Sequence, residues 1–132
     1  MYFYARYILH RRGPLAAWET LRQHEYLPDA PPHRQADWLA FRANILGQLR
    51  DFDAAEDWLN RAEKIAPEHP WLCVERSLLY EWEDRYPEAL AAAQRSLSLH
   101  PWYRPGVETT AHVLGLLERD AEALELLQQA SQ

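Results

Sequence analysis

Apolar residues from Asp53 onward recur with a helical step. Ala55, Trp58, Leu59, Ala62 and Ile65 fall on one side of a helix, with Glu56, Asp57, Asn60 and Lys64 between them. This i, i+3, i+4, i+7 stripe predicts an amphipathic helix from about Asp53 to Ile65. A second pattern predicts one from about Gln35 to Leu49, with a short polar turn between the two. Asp51 and Asp53 flank that turn and suit an N-cap. Pro70 and Pro87 fit the first turns of later helices, where no amide donor is lost. Pro67 and Pro101 stop the helices before them.

The pattern then repeats. Ala43, Ser77 and Ala111 stand 34 apart, as do Ala55, Ala89 and Ala123, and Ala62, Ser96 and Ala130. Larger residues keep the same step: Leu39, Cys73 and Val107; Leu46, Tyr80 and Leu114; Phe52 and Tyr86; Ile65 and Leu99. Small columns mark where two helices must approach closely, and large columns fill the space beside them.

A 34-residue helix–turn–helix unit of this kind resembles the tetratricopeptide repeat (TPR) family, whose pattern is W-x2-L-G-x2-Y…A-x3-F…P. Its glycine site is filled here by Ala43, Ser77 and Ala111, and its tyrosine by Leu46, Tyr80 and Leu114. Its second-helix alanine is Ala55, Ala89 and Ala123. The aromatic four residues later is replaced by Leu59, Ala93 and Leu127, a departure that weakens packing in the middle repeat. Pro67 and Pro101 close two copies, and the third ends before its proline.

The resemblance divides one domain, residues 1–132, into repeats at 34–67, 68–101 and 102–132, preceded by a degenerate copy and linker at 1–33. In that copy Arg12-Gly13-Pro14-Leu15-Ala16-Ala17 echoes Arg85-Tyr86-Pro87-Glu88-Ala89-Leu90. Tyr7 takes the tyrosine site, Ala16 the alanine site and Pro28 the closing proline. Pro28 and Pro67 are further apart than the repeat step, and the excess of about five is read as the insertion Asp29-Ala30-Pro31-Pro32-His33. The first helix then begins near Met1 without its opening turn, as expected of a piece of a longer protein.

The resemblance implies an all-α fold: helix pairs stacked in a right-handed superhelix, an α-solenoid. The first helix of each pair lines a concave face that holds peptides or helices of partner proteins. Helix spacing nominates Asp37, Ala40, Asn44 and Gln48 from the second copy. From the third it nominates Trp71, Val74, Glu75, Leu78 and Trp82, and from the fourth Glu108 and His112. Tyr2, Ala5 and Leu9 take the matching places in the degenerate copy. Tryptophans in a groove anchor apolar side chains, and acidic neighbours favour a basic or amphipathic partner. Equally, aromatics at helical spacing pack as core. TPR domains that hold the acidic tails of chaperones use a basic clamp. Asn44 matches that clamp, but Ala40, Glu75, Pro105 and Thr109 offer no basic residue, which argues against the subclass.

Composition narrows the function. The 132 residues are 48% hydrophobic, enough for a core. Fourteen basic and twenty acidic side chains give a net charge of −6, which disfavours a nucleic-acid partner. No apolar run reaches the roughly 18 residues of a membrane span, and no signal peptide is evident, so a cytoplasmic protein is expected. Thirteen of the fourteen basic residues are arginine, a bias of GC-rich, bacterial coding sequences.

Chemistry is sparse. The single cysteine, Cys73, lies in a packing column, where a thiol acts as a small apolar group. His10, His24, His33, His69, His100 and His112 show no metal-ligand spacing. Only His112 points to the groove, where a ligand or general-base role is the less favoured alternative. Nothing marks a nucleotide, flavin or phosphate site, so no cofactor, no metal and no enzyme is expected. The leading expectation is a non-catalytic interaction module. Behind it stand an accessory domain of a larger bacterial protein, acting by intramolecular docking or self-association, and a small secretion-type chaperone. The apolar segments Tyr2–Leu9 and Leu124–Leu127 suggest homo-oligomers through the terminal helices.

Overall fold

The computed structural model describes residues 2–27 and 29–132. Pro28, the closing proline assigned to the first copy, lies outside the described residues, as does Met1. The described chain is all helical: α1 (Tyr2–Arg12), α2 (Pro14–Leu21), α3 (Pro32–Gln48), α4 (Phe52–Ile65), α5 (Pro70–Trp82), α6 (Tyr86–Leu99), α7 (Arg104–Leu116) and α8 (Asp120–Ala130). A proline occupies the first turn of α2, α3, α5, α6 and α7. Asp51 caps α4 by accepting from the Ala54 amide at 3.4 Å. Helix α3 starts at Pro32, so Pro32 and His33 are helical instead of linker.

The turns inside the three regular repeats share one geometry. Arg50, Asp84 and Glu118, again 34 apart, adopt positive φ of 66°, 59° and 59°. The next amides, those of Asp51, Arg85 and Arg119, donate to the carbonyls of Leu46, Tyr80 and Leu114. This is a left-handed helix stop that glycine usually fills. With no glycine at these sites, the sequence alone did not reveal it. The first pair turns differently: a single residue, Gly13, separates α1 from α2 with φ of 89°, where a Cβ would be strained.

The chain divides into two compact units, one ending at Pro67 and one spanning Glu68–Gln132. In the first, Ala5, Ile8, Ala17, Leu21, Trp38, Phe41 and Ile45 form a buried core, with Trp18 and Leu27 packed on it. This core corrects the register of the degenerate copy. Tyr7 is 55% exposed and Ala16 is half-buried, whereas Ala5 and Ala17 are fully buried and Ile8 nearly so. Ala5 and Ala17 are twelve apart, as are Ala43 and Ala55, and Ser77 and Ala89. Ile8 therefore takes the tyrosine site and Ala17 the alanine site. On this register the step from Ala5 to Ala43 exceeds the repeat step by four, so the insertion is four instead of five. The reason is chemical. Tyr7 keeps its ring outside beneath Arg11, while the aliphatic Ile8 goes in.

In the second unit Ala89, Leu90, Val113 and Leu114 are buried together, with Tyr80, Leu117 and Ala123 against them. The small columns act as expected. Ser77 of α5 donates its hydroxyl to the Ala89 carbonyl of α6 at 2.7 Å. Gly106 of α7 sits so close to α6 that an added Cβ would lie 2.2 Å from Ser96 Oγ. Cys73 is buried in its packing column. Among the described residues no helix is long and apolar enough to cross a membrane.

Candidate partner-binding surface

Within the second unit, the first helices of the two repeats, α5 and α7, lie side by side. Val74, Leu78 and Glu81 of α5 face Glu108, Thr109 and His112 of α7 across a cleft of about 250 Å³. The repeat explains the pairing: Val74 and Glu108 share a column, one repeat step apart, and so do Leu78 and His112. Positions 74, 78 and 81 follow i, i+4, i+7 on one face. The floor is the apolar pair Val74 and Leu78. At one end His112 Nε2 meets Glu81 Oε1 at 2.9 Å. At the rim Arg104 donates to Glu108 at 3.0 Å. That arginine is 89% exposed and Glu108 61%, so water screens the pair and holds it weakly.

Four nominated residues, Val74, Leu78, Glu108 and His112, thus line one cleft. Thr109, which the sequence placed only at a clamp site of the groove, and Glu81, which it did not place there, join them. Their signal was present, since both fall on the same helical face. Trp71 and Trp82 are half-buried at the two ends of α5 and do not line this cleft, and Glu75 beside them is buried.

In the first unit the nominated residues divide. Ala40 is fully buried and presents nothing to a partner. Asn44 and Gln48 sit one turn apart on α3, with the Gln48 amide donating to Asn44 Oδ1 at 2.7 Å. Asp37 lines a separate hollow of about 290 Å³ with Tyr2, Phe3, Leu27, His33 and Arg34. Of the residues assigned to the degenerate copy, Tyr2 and Leu9 are half-buried and Ala5 is buried.

Another part of this unit went unseen in the sequence. Gln35, Trp38 and Arg42 form one stripe of α3 that holds the segment joining α2 to α3. The Leu27 amide donates to Gln35 Oε1 at 2.9 Å, and Gln35 Nε2 returns a bond to the Leu27 carbonyl. Trp38 Nε1 donates to the His24 carbonyl at 2.8 Å. Arg42 donates to the carbonyls of Leu21 and His24. Its guanidinium lies 5.8 Å from the Trp18 ring centre and 4.9 Å from that of Trp58. Arg61 also stacks on Trp58, 4.2 Å from its ring centre, and bonds Glu25 and the Tyr26 hydroxyl. Rings and guanidinium planes thus alternate through Trp18, Arg42, Trp58, Arg61 and Tyr26. Burial pulls Arg42 below its usual pKa, Glu25 opposes this and Arg61 adds to it. The hydrogen bond to Glu25 raises Arg61.

Among the described residues no three histidine, cysteine or carboxylate side chains converge as a metal site.

No family model matches the chain, and no curated protein matches it in sequence. Solved structures of MamA match in fold. One crystal structure of MamA has a TM-score of 0.68 at 15% identity, covering 96% of this chain and 71% of that one. A second has a TM-score of 0.67 at 17% identity, covering 96% and 67%. A MamA segment from Desulfovibrio magneticus RS-1 has a TM-score of 0.61 at 14% identity, covering 96% and 89%. At such identities the likeness carries the fold alone. Together with the repeated helix pairs, it makes this an all-α fold of TPR type.

Proposed function

We propose that the chain is a non-catalytic protein–protein interaction module whose α5–α7 cleft receives a partner peptide or helix. The cleft itself carries the reading: an apolar floor of Val74 and Leu78 under a rim bearing Glu81 and Glu108. At about 250 Å³ it falls below the roughly 300–1,000 Å³ of small-molecule pockets and suits one protruding side chain. The fitting segment presents an apolar residue to Leu78 with an arginine or lysine one helical turn away. That cation would draw Glu108 from Arg104 or Glu81 from His112. Such recognition needs no catalytic group.

Panning a random peptide display library on the chain tests this. Enriched peptides should pair an apolar residue with a basic one. Leu78→Arg should weaken them at least tenfold, about 1.4 kcal/mol. The double change Glu81→Gln/Glu108→Gln should relax the preference for a basic residue while apolar peptides still bind. Equal enrichment on wild type and Leu78→Arg would remove the cleft as the site.

A further inference from the structure

The first and last helices carry opposite charge and uncovered apolar faces. Helix α1 contains Arg6, Arg11 and Arg12 and no acidic residue. Helix α8 contains Asp120, Glu122 and Glu125 and no basic residue. On α1, Phe3 is 80% exposed and Tyr4 and Tyr7 are each 55% exposed. Residues 3, 4, 7 and 11 share one side of the helix, turned away from the buried Ala5. No residue of α8 is buried, and Leu124 and Leu127 are 58% and 44% exposed. Those leucines are three residues apart and so share a face, with Asp120 in the same arc. In a repeat fold such a face is what the next helix normally covers.

We propose that α1 of one copy packs on α8 of a second copy. Phe3 and Tyr7 then cover Leu124 and Leu127, and Arg11 meets Asp120. Glu122 is already held by Arg119 at the start of α8. Charge fixes the pairing. Two α1 faces repel each other, as do two α8 faces, so only the unlike pair forms. Each copy bears one surface of each kind. The contact is therefore heterologous and adds copies until a ring closes or the chain of copies ends.

Light scattering coupled to size exclusion tests this on the full chain, with two variants that alter only exposed positions. Phe3→Glu/Tyr7→Glu blocks α1, and Leu124→Glu/Leu127→Glu blocks α8. Wild type should show a mass that rises with concentration and falls with added salt. Each variant alone should keep the 15.5 kDa monomer mass with unchanged helical circular dichroism. Mixed in equal amounts, the two should form a species of twice that mass and nothing larger, because one intact α1 meets one intact α8. A monomeric wild type at every concentration, or a mixture that stays monomeric, would overturn the proposal. So would association that survives either variant. Monomeric wild type that sediments with phosphatidylserine vesicles, and loses them only through Phe3→Glu/Tyr7→Glu, would instead assign α1 to an anionic lipid surface.

Discussion

Both units bury columns of alanine, but the unit ending at Pro67 adds large, partly polar side chains where α2 meets α3, whereas Glu68–Gln132 adds glycine and serine at close range. In the first, Arg42 lies between Trp18 and Trp58 and reaches two backbone carbonyls. In the second, Gly106 meets Ser96 and Ser77 meets Ala89 at close range. The join between α2 and α3 explains the difference. Helix α2 stops at Leu21, and its join to α3 covers residues 22–31, against 66–69 and 100–103 at the later joins between pairs. The carbonyls freed where α2 stops early, those of Leu21 and His24, need donors, and a long guanidinium reaches them where a small column does not. The second unit has no such join, so close backbone approach suffices.

The largest effect is therefore expected at Arg42. Arg42→Met keeps the volume but removes two hydrogen bonds from a charged donor, costing about 3 kcal/mol. Hydrogen exchange should speed in α2, in the residues after it and in the matching face of α3, while α5–α8 keep their protection. Uniform loss across both units would show that they unfold as one, and the contrast between them would fail as an energetic statement.

Gly106 comes next. Gly106→Leu drives a side chain into Ser96 and Leu97 and should cost about 1–3 kcal/mol by overpacking, read from urea unfolding. Gly106→Ala sharpens the point. It gains about 1 kcal/mol of helix propensity but meets Ser96 Oγ. It should be better tolerated when Ser96→Ala is made with it, and equal effects in both backgrounds would deny the close contact. Ser77→Ala loses one neutral hydrogen bond to the Ala89 carbonyl and should cost only about 1 kcal/mol.

These sites also mark how far the sequence could be read. The three regular repeats were legible because their small and large columns keep one phase, and that phase places the cleft residues Val74, Leu78, Glu108 and His112 on one side. The degenerate copy was legible as a helix pair but not in its register. Tyr7 and Ile8, and Ala16 and Ala17, are adjacent residues of similar hydrophobicity, and only burial separates them. Arg42 was not legible as a core residue, because its partners are backbone carbonyls and rings that no spacing announces. Glu81 was not legible as a groove residue, since its pairing with His112 crosses between repeats.

The smallest expected effect sets a limit on the second unit. Helix α8 has no buried residue, so its first turn leans on surface charge. Arg119 donates to both carboxylate oxygens of Glu122, and that contact holds Glu122 below the usual carboxylate range. A carboxyl whose folded pKa is depressed stabilises the fold above its unfolded pKa. That contribution fades as the pH falls through the folded value. Acidification should therefore loosen the first turn of α8 before it affects α5–α7, seen as faster amide exchange at Ala123. Glu122→Gln should remove the pH dependence at that amide while leaving the exchange of Val113 unchanged. Because the pair is exposed, added salt should mimic part of the acid effect. If salt and acid both leave Ala123 unmoved, α8 is held by the half-buried Ala123 and Leu126 alone. Small-residue packing would then extend to the last helix as it does between α6 and α7.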